Sequence, residues 1–149
     1  MPKKIEIWTD GACSYNPGPG GWAAILRYGN YEKVFSGGEK TTTNNIMELT
    51  AVIKGLSALK ERCDVTLYSD SAYVINAINE GWLKNWQKSG FKTADKKPVK
   101  NRELWEELSD LLEKQNVNFV KVKGHAQNEN NNRCDEIARG EILKLSDNG

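Results

Sequence analysis

The 149-residue sequence contains a single histidine and only three cysteines, and these shortages exclude two kinds of site. Cys13, Cys63 and Cys134 are odd in number, widely spaced and form no Cys-x-x-Cys pair. A disulfide framework or a zinc site is therefore not expected. A catalytic role for Cys13 would need a partner base, and His125 is the only histidine in the chain. We therefore interpret the cysteines as three reduced thiols.

Long apolar segments are also missing. No run approaches the ~18 apolar residues that cross a bilayer. The N-terminal Met-Pro-Lys-Lys leads into an alternating run instead of the continuous apolar stretch of a secretory signal. We expect a cytoplasmic protein with no membrane partner. A chain of 149 residues with ordinary apolar and charged fractions predicts one globular domain over 1–149. We also expect a monomer with no obligate protein partner.

A net charge of +1 conceals a strongly basic segment. Residues 84–102 hold seven cationic side chains against Asp95 alone, so the rest of the chain is acidic. Such asymmetry predicts local contact with a polyanion. Trp82 and Trp86 lie at the start of this region. We expect the lysines to bind phosphates and the two tryptophans to pack inward.

Hydrophobic periodicity predicts an α/β protein with five strands and five helices. The predicted strands are 5–10, 22–28, 31–36, 64–69 and 117–122. The predicted helices are 44–59, 71–80, 82–88, 101–112 and 133–145. The Gly- and Pro-rich stretch 11–21 is interpreted as a turn, and Gly29-Asn30 as a two-residue hairpin loop. Helices separate strands 3, 4 and 5, which predicts a mixed sheet with antiparallel strands 1–3 and parallel strands 4–5.

Four carboxylates fall where this fold would gather them. Asp10 and Asp70 each end a predicted strand, while Glu48 and Asp135 each lie near the start of a predicted helix. Parallel pairing of strands 1 and 4 would place Asp10 and Asp70 at the same sheet edge. Like charges so close together stay ionised only if a cation holds them. Oxygen ligands favour Mg²⁺, as one or two ions, with Mn²⁺ as a substitute.

Each carboxylate also has an ordinary structural explanation. Asp10 can belong to a turn, and Asp70 can cap the helix that follows it. Glu48 can close a capping box with Asn45, and Asp135 can complement a helix dipole. Taken singly, these explanations are adequate. The expected convergence of all four carboxylates favours the metal hypothesis.

Five segments together resemble type 1 ribonuclease H, closest to the bacterial single-domain form. They are TDGACSYNPGPGGW (9–22), TTNNIMELTA (42–51), YSDSAYV (68–74), KTADKKPVKN (92–101) and VKGHAQNENNNRCDEIA (122–138). The resemblance implies a ribonuclease H-like fold in which Asp10, Glu48, Asp70 and Asp135 bind the metals. It also implies that His125 assists proton transfer or product release. The basic segment resembles the family's substrate-binding protrusion, which would bind through Trp82, Lys84, Trp86, Lys88, Lys96, Lys97 and Lys100.

The same resemblance implies a substrate and a reaction. The substrate would be an RNA–DNA hybrid whose RNA strand is hydrolysed by water, leaving 3′-hydroxyl and 5′-phosphate ends. The 2′-hydroxyls of RNA lie in a wide, shallow minor groove that a protein can contact. The positions that carry over for this contact are Cys13, Ser14, Asn16, Asn44, Asn45 and Glu48. Thr43 and Asn101 match the family's pocket for a phosphate of the DNA strand.

Two positions depart from the family pattern. Ala72 stands where bacterial relatives often have Gln, and Thr41 where they often have Arg. We therefore expect one hybrid contact to be missing and the affinity for phosphate to be lower.

The sequence disfavours two alternative functions. An integrase-like nuclease or polynucleotidyl transferase of the same fold is disfavoured by the basic segment and the Glu48 helix. A non-catalytic hybrid-binding module is disfavoured because all four acidic residues are present.

Overall fold

Five strands and five helices make up the described part of the chain, which is residues 2–93, 95–122 and 129–147 of a computed structural model. The strands are β1 (Lys3–Cys13), β2 (Gly18–Tyr28), β3 (Tyr31–Thr42), β4 (Cys63–Ser69) and β5 (Asn116–Lys121). The helices are α1 (Asn44–Ser57), α2 (Ala72–Asn79), α3 (Trp82–Lys88), α4 (Arg102–Lys114) and α5 (Glu129–Asp147). None of the described helices is long and apolar enough to cross a membrane.

The strands form one mixed sheet in the order β3-β2-β1-β4-β5. The β1–β2 and β2–β3 pairs are antiparallel, and the β1–β4 and β4–β5 pairs are parallel. The predicted fold class is therefore confirmed. Trp8 of β1 lies opposite Tyr68 of β4. Since the two strands are parallel, Asp10 and Asp70, each two residues further on, reach the same edge of the sheet.

Alternation along β1 directs its side chains to two cores. Ile5 and Ile7 belong to the larger core, which α1 and α4 share, whereas Trp8 packs with Cys134 and Ala138 of α5. Burial of these apolar faces fixes the helices on the sheet. At the sheet edge where Asp10 lies, α1 therefore approaches from one face of the sheet and α5 from the other.

The predicted turn over residues 11–21 is wrong. β1 continues to Cys13 and β2 begins at Gly18, with Cys13 paired to Gly20. The glycines serve close approach instead: a Cβ on Gly21 would lie 2.1 Å from the carbonyl oxygen of Ala138 in α5. Only glycine lets the helix pack so near the strand. The hairpin at Gly29-Asn30 is confirmed, and Gly29 has φ +58°.

The last helix also differs from its prediction. α5 begins at Glu129, four residues before the predicted start at Arg133. The polar, asparagine-rich composition of residues 129–132 favours a loop, but packing of the helix on the sheet overrides that weak local preference. Asp135 is consequently the seventh helical residue and lies beyond the first turn.

Candidate active site

Three carboxylates from three elements converge at the edge of the sheet. Asp10 lies in β1, Glu48 in α1 and Asp70 directly after β4. One ligand oxygen from each lies within 4.8 Å of the others. Together with Asp135 they line an open cavity of about 480 Å³. This all-oxygen donor set is the kind that a hard divalent cation prefers.

The start of α1 determines where Glu48 points. Thr43 caps the helix, and its hydroxyl accepts a hydrogen bond from the Ile46 amide at 3.2 Å. Glu48 is thus the fifth helical residue, so a first-turn capping box with Asn45 is wrong. The Gly11 amide donates to Glu48 Oε1 at 3.0 Å and to Asp10 Oδ1 at 2.9 Å. A Cβ on Gly11 would lie 2.5 Å from the Glu48 nitrogen, so this approach requires glycine.

Asp70 and Asp135 are also free of the structural roles considered for them. Ser71, not Asp70, caps α2, because its hydroxyl accepts from the Val74 amide at 3.3 Å. Asp135 lies too far along α5 for a first-turn interaction with the helix dipole. It instead forms an ion pair with Arg139 at 2.8 Å. Asp70 therefore has no capping duty that competes with its position on the cavity.

Burial makes the negative charges of this cluster costly. It raises the pKa of the Asp10 carboxyl from 3.8 to about 6, and the neighbouring Asp70 charge adds to the shift. Burial also raises the pKa of Glu48 well above 4.5, reinforced by the charge of Asp10. Glu48 Oε2 is buried and has no hydrogen-bond donor among the described residues. A divalent cation fits this arrangement, since it would supply both the missing partner and the missing positive charge.

Only some of the residues expected to face the RNA strand lie beside the carboxylates. Cys13, Asn44 and Asn45 line the same cavity as Glu48. The Asn16 side chain accepts from the Asn44 amide at 3.1 Å, so it supports the start of α1. Ser14 is not among the lining residues, and its amide donates to the Pro19 carbonyl at 2.8 Å.

Asn101 precedes α4 at the N-cap position, but its side chain does not cap the helix. Asn101 has φ +60°, which asparagine adopts more readily than most residues, and its side chain makes no capping bond to α4. Its amide instead donates to the Tyr73 hydroxyl at 3.0 Å, and Trp105 Nε1 donates to the same oxygen at 3.1 Å. Asn101 thereby ties the start of α4 to α2. Thr43, the other residue of the predicted phosphate pocket, caps α1 as described above.

Tyr73 is a cavity residue that sequence reasoning missed. It lines the carboxylate cavity and accepts from both Asn101 and Trp105. The available signal was its place inside the YSDSAYV segment, at the first turn of the helix after Asp70. Through Tyr73, the carboxylate cavity is joined to the basic segment.

The two tryptophans of the basic segment have different environments. Trp86 packs edge-on against Trp105, with ring centroids 5.2 Å apart. Inward packing is thus confirmed for Trp86. For Trp82 it is wrong, because this ring is 41% exposed. α3 has only seven residues and buries Leu83, which leaves Trp82 at the first helical position facing solvent.

The lysines of the segment are exposed and form no ion pair with another described residue; they are Lys84, Lys88, Lys92, Lys96, Lys97 and Lys100. Lys96 and Lys97 lie at a loop tip closed by the bond from the Thr93 amide to the Lys97 carbonyl, 2.7 Å. Buried Val99 anchors this loop to the core. Arg102 differs from the lysines because it pairs with Glu106 at 2.6 Å. His125 lies outside the described residues, so its role stays a prediction.

Known proteins resemble this chain in sequence and in fold. The ribonuclease H of Chlorobaculum parvum is 60% identical over 146 residues, which are 98% of this chain and 100% of that protein. The ribonuclease H of Caldicellulosiruptor saccharolyticus is 57% identical over 143 residues, 96% and 99% of the two chains. The solved structure of LC9-RNase H1, a type 1 RNase H, superposes with a TM-score of 0.85 at 23% identity, covering 97% of this chain and 74% of that one.

A second solved structure, LC11-RNase H1 in complex with an RNA/DNA hybrid, has a TM-score of 0.71 at 24% identity and covers 95% of this chain and 98% of that one. At these identities the two structures establish the fold alone. The family model described as RNase H matches residues 2–142. This match spans nearly the whole sequence, and the relatives above share more than half of their residues with it. The chain therefore belongs to the RNase H family.

Proposed function

We propose that this chain is an endoribonuclease that hydrolyses the RNA strand of RNA–DNA hybrids and leaves 3′-hydroxyl and 5′-phosphate ends. Membership of the RNase H family supports the activity. The observation that carries the mechanism is the convergence of Asp10, Glu48 and Asp70, whose ligand oxygens lie within 4.8 Å of one another. A cluster of three acidic groups, of which Asp10 and Glu48 are buried, is costly for folding when no described residue supplies a cationic partner, so its presence favours a metal-dependent reaction.

Asp10, Glu48 and Asp70 would hold Mg²⁺, with Mn²⁺ as a substitute, and Asp135 would contribute to a second position. When bound, such an ion stabilises negative charge on the scissile phosphate and activates water for attack. The Gly11 amide keeps Asp10 and Glu48 in fixed orientations, because it donates to both carboxylates. Fixed orientation reduces the reorganisation needed when the substrate binds.

Two surfaces would recognise the hybrid. The exposed lysines on α3 and the following loop would bind phosphates, with Trp82 as an exposed aromatic contact beside them. Cys13, Asn44, Asn45 and Glu48 would face the ribose 2′-hydroxyls, which identify the strand as RNA. Thr43 and Asn101 would accommodate a phosphate of the DNA strand, with Ser14 and Asn16 in the adjoining loop. The hybrid-bound structure of LC11-RNase H1 supports this class of substrate.

His125 would assist proton transfer or product release from the segment that joins β5 to α5. An imidazole titrates near neutrality, as this role requires. We further propose that the chain acts as a single-domain monomer in the cytoplasm. Its three cysteines are all free thiols, which suits a reducing compartment.

Digestion of three labelled duplexes tests the proposal. RNA–DNA hybrid, duplex RNA and duplex DNA are incubated with the protein in Mg²⁺, in Mn²⁺ and in EDTA, with each strand labelled in turn. We expect cleavage of the hybrid's RNA strand only, and only with a divalent ion. The products should be ligatable at their 5′-phosphates. Cleavage in EDTA, or of duplex DNA at a similar rate, would contradict the metal mechanism or the substrate.

A further inference from the structure

The fourth carboxylate is held apart from the other three. Asp135 lines the cavity, yet its carboxylate oxygens lie outside the group formed by Asp10, Glu48 and Asp70, whose ligand oxygens are all within 4.8 Å of one another. Asp135 Oδ2 instead forms an ion pair with Arg139 Nη2 at 2.8 Å. Among the described residues, the cation paired with Asp135 is thus a guanidinium of its own helix.

The geometry of α5 leaves this ion pair free to exchange. Residues four apart share one helix face, so Arg139 reaches Asp135 without any distortion of the backbone. The helix itself is anchored next to the pair, because Cys134 Sγ donates to the Trp8 carbonyl at 3.3 Å. The Arg139 side chain is 63% exposed and the Asp135 side chain 19% exposed. Only the two side chains need to move for Asp135 to exchange one cation for another.

We infer that Arg139 is a positioning residue that controls when Asp135 becomes available to a metal ion. The inference depends on the metal centre proposed above. A first ion would bind Asp10, Glu48 and Asp70, which form no ion pair with a cationic side chain among the described residues. An ion on Asp135 Oδ2 would have to displace the Arg139 guanidinium, and an ion on Oδ1 would be repelled by its charge. Arg139 therefore separates one-ion binding from two-ion binding along the scale of metal concentration.

The expected size of this effect is modest. An ion pair with one strongly exposed partner contributes little, so its competition should weaken ion binding at Asp135 by about two- to fivefold. Removal of Arg139 should therefore strengthen the weaker metal-binding step by that factor. The stronger step, which uses the three converged carboxylates, should change less.

Titration with MnCl₂, followed by the electron paramagnetic resonance signal of the free ion, measures both steps without substrate. The variants are Arg139→Gln, Asp135→Asn and their combination. Lys144→Gln is the matched control: Lys144 also pairs within α5, with Glu141 at 3.1 Å, and its loss changes the net charge equally. We expect Arg139→Gln to tighten the weaker step two- to fivefold, Lys144→Gln to leave it unchanged, and Asp135→Asn to remove it.

The double variant distinguishes positioning from general charge. In the Asp135→Asn background, Arg139→Gln should have no further effect on Mn²⁺ binding, because its target is gone. An equal gain with and without Asp135 would overturn the inference, as would an unchanged weaker step in Arg139→Gln. If the unmodified protein bound no Mn²⁺ at all, the proposed metal centre itself would fail and the inference with it. If it bound Mn²⁺ in a single step, the metal centre would stand and only the inference would fail.

Discussion

The carboxylate cavity and the basic segment each gather charges of one sign, but they do so under opposite physical conditions. Asp10 and Glu48 are 6% and 4% exposed and are oriented by a backbone amide. The lysines of the basic segment are exposed and lie partly on a loop where Lys96 adopts φ +64°. Buried like charges are destabilising until a cation arrives, whereas solvated lysines cost little in the free protein.

This difference separates two kinds of preorganisation. The cavity holds its carboxylates in one geometry because strands, helix and Gly11 fix them before any ion binds. The basic segment keeps its charges adaptable, while Leu83, Trp86, Phe91 and Val99 anchor it to the core. Precise placement suits chemistry at one phosphate, and adaptable placement suits contact with many phosphates.

The largest expected effect comes from breaking the cavity. Asp70→Asn should lower Mg²⁺-dependent hybrid cleavage by at least about 10³-fold, because one ligand charge of the metal site is lost. Hybrid affinity, measured by fluorescence anisotropy without cleavage, should change by less than threefold. Asp64→Asn is the matched control, since Asp64 lies on β4, which Asp70 directly follows, and accepts a hydrogen bond from Asn116 away from the cavity. Near-normal turnover in Asp70→Asn would remove Asp70 from the metal site.

The next effect comes from the basic segment. Replacing Lys96, Lys97 and Lys100 with Ala should weaken hybrid binding about ten- to a hundredfold at low salt and flatten the slope of log affinity against log salt by up to about 3. Turnover at saturating hybrid should change much less. A control triple variant, with Lys33, Lys54 and Lys60 replaced by Ala, removes the same charge from exposed positions elsewhere. An identical salt slope in the two triple variants would contradict a specific phosphate-binding role.

The comparison also shows what sequence can predict. The approach of Asp10 to Asp70 could be predicted on the condition that strands 1 and 4 pair in parallel, because each residue directly follows a run of strand-forming residues. The structure confirms that pairing. Glu48 could be assigned to α1 but not to its exact turn, since any of the Thr and Asn residues at 41–45 can act as the cap. The structure shows that Thr43 does so.

Side-chain pairings that depend on competition between several possible partners could not be predicted from the sequence. Asp135 and Arg139 have the spacing of a helical ion pair, but the sequence alone does not say whether Arg139 or the other carboxylates lie nearest to Asp135. Asparagine is a common helix-capping residue. The Asn101 side chain nevertheless donates to the Tyr73 hydroxyl, because α2 and α4 meet there. Tertiary packing decides both cases, and periodicity carries no information about it.

A third prediction measures the cost of the buried charges directly. Without metal, Asp10→Asn should stabilise the protein by about 1–2 kcal/mol at neutral pH, because it removes a charge that burial disfavours. The pKa of Asp10 is about 6 in the folded protein against 3.8 as its ordinary value. The folded state therefore binds more protons, and stability is lost as pH rises through this window. The gain from Asp10→Asn should grow between about pH 4 and 6 and then level off.

Urea unfolding at a series of pH values, with EDTA present, provides this measurement. Mg²⁺ should bind only the folded protein and should therefore raise its thermal midpoint. The rise should be larger for the unmodified protein than for Asp10→Asn, which lacks one of the proposed ligands. A variant that is less stable than the unmodified protein at every pH would show that Asp10 stabilises the fold, contrary to its desolvation.

The smallest expected effect comes from charges of opposite sign at the surface. Glu32 accepts from Arg133 at 2.7 Å and from Arg27 at 2.9 Å, which joins β3 to α5 and β2. Hydrogen bonds from these two guanidiniums hold the pKa of Glu32 at about 2, and the bond from Arg133 has the larger effect. Since this pKa is depressed, the stabilisation is present above pH 4.5, the ordinary value, and is lost as pH falls toward 2.

Glu32→Gln should therefore destabilise the protein by less than about 1 kcal/mol at pH 7, because partly exposed ion pairs are screened by water. The loss should shrink further when the urea unfolding is repeated in high salt or at low pH. Glu61→Gln is the control, since Glu61 pairs only with exposed Lys3 at 2.9 Å and should change stability still less. Equal effects of the two variants would mean that linking α5 to the sheet through two arginines adds nothing beyond a simple surface pair. A loss of several kcal/mol would instead mean that this surface network anchors the helix that carries Asp135 as firmly as the buried cores do.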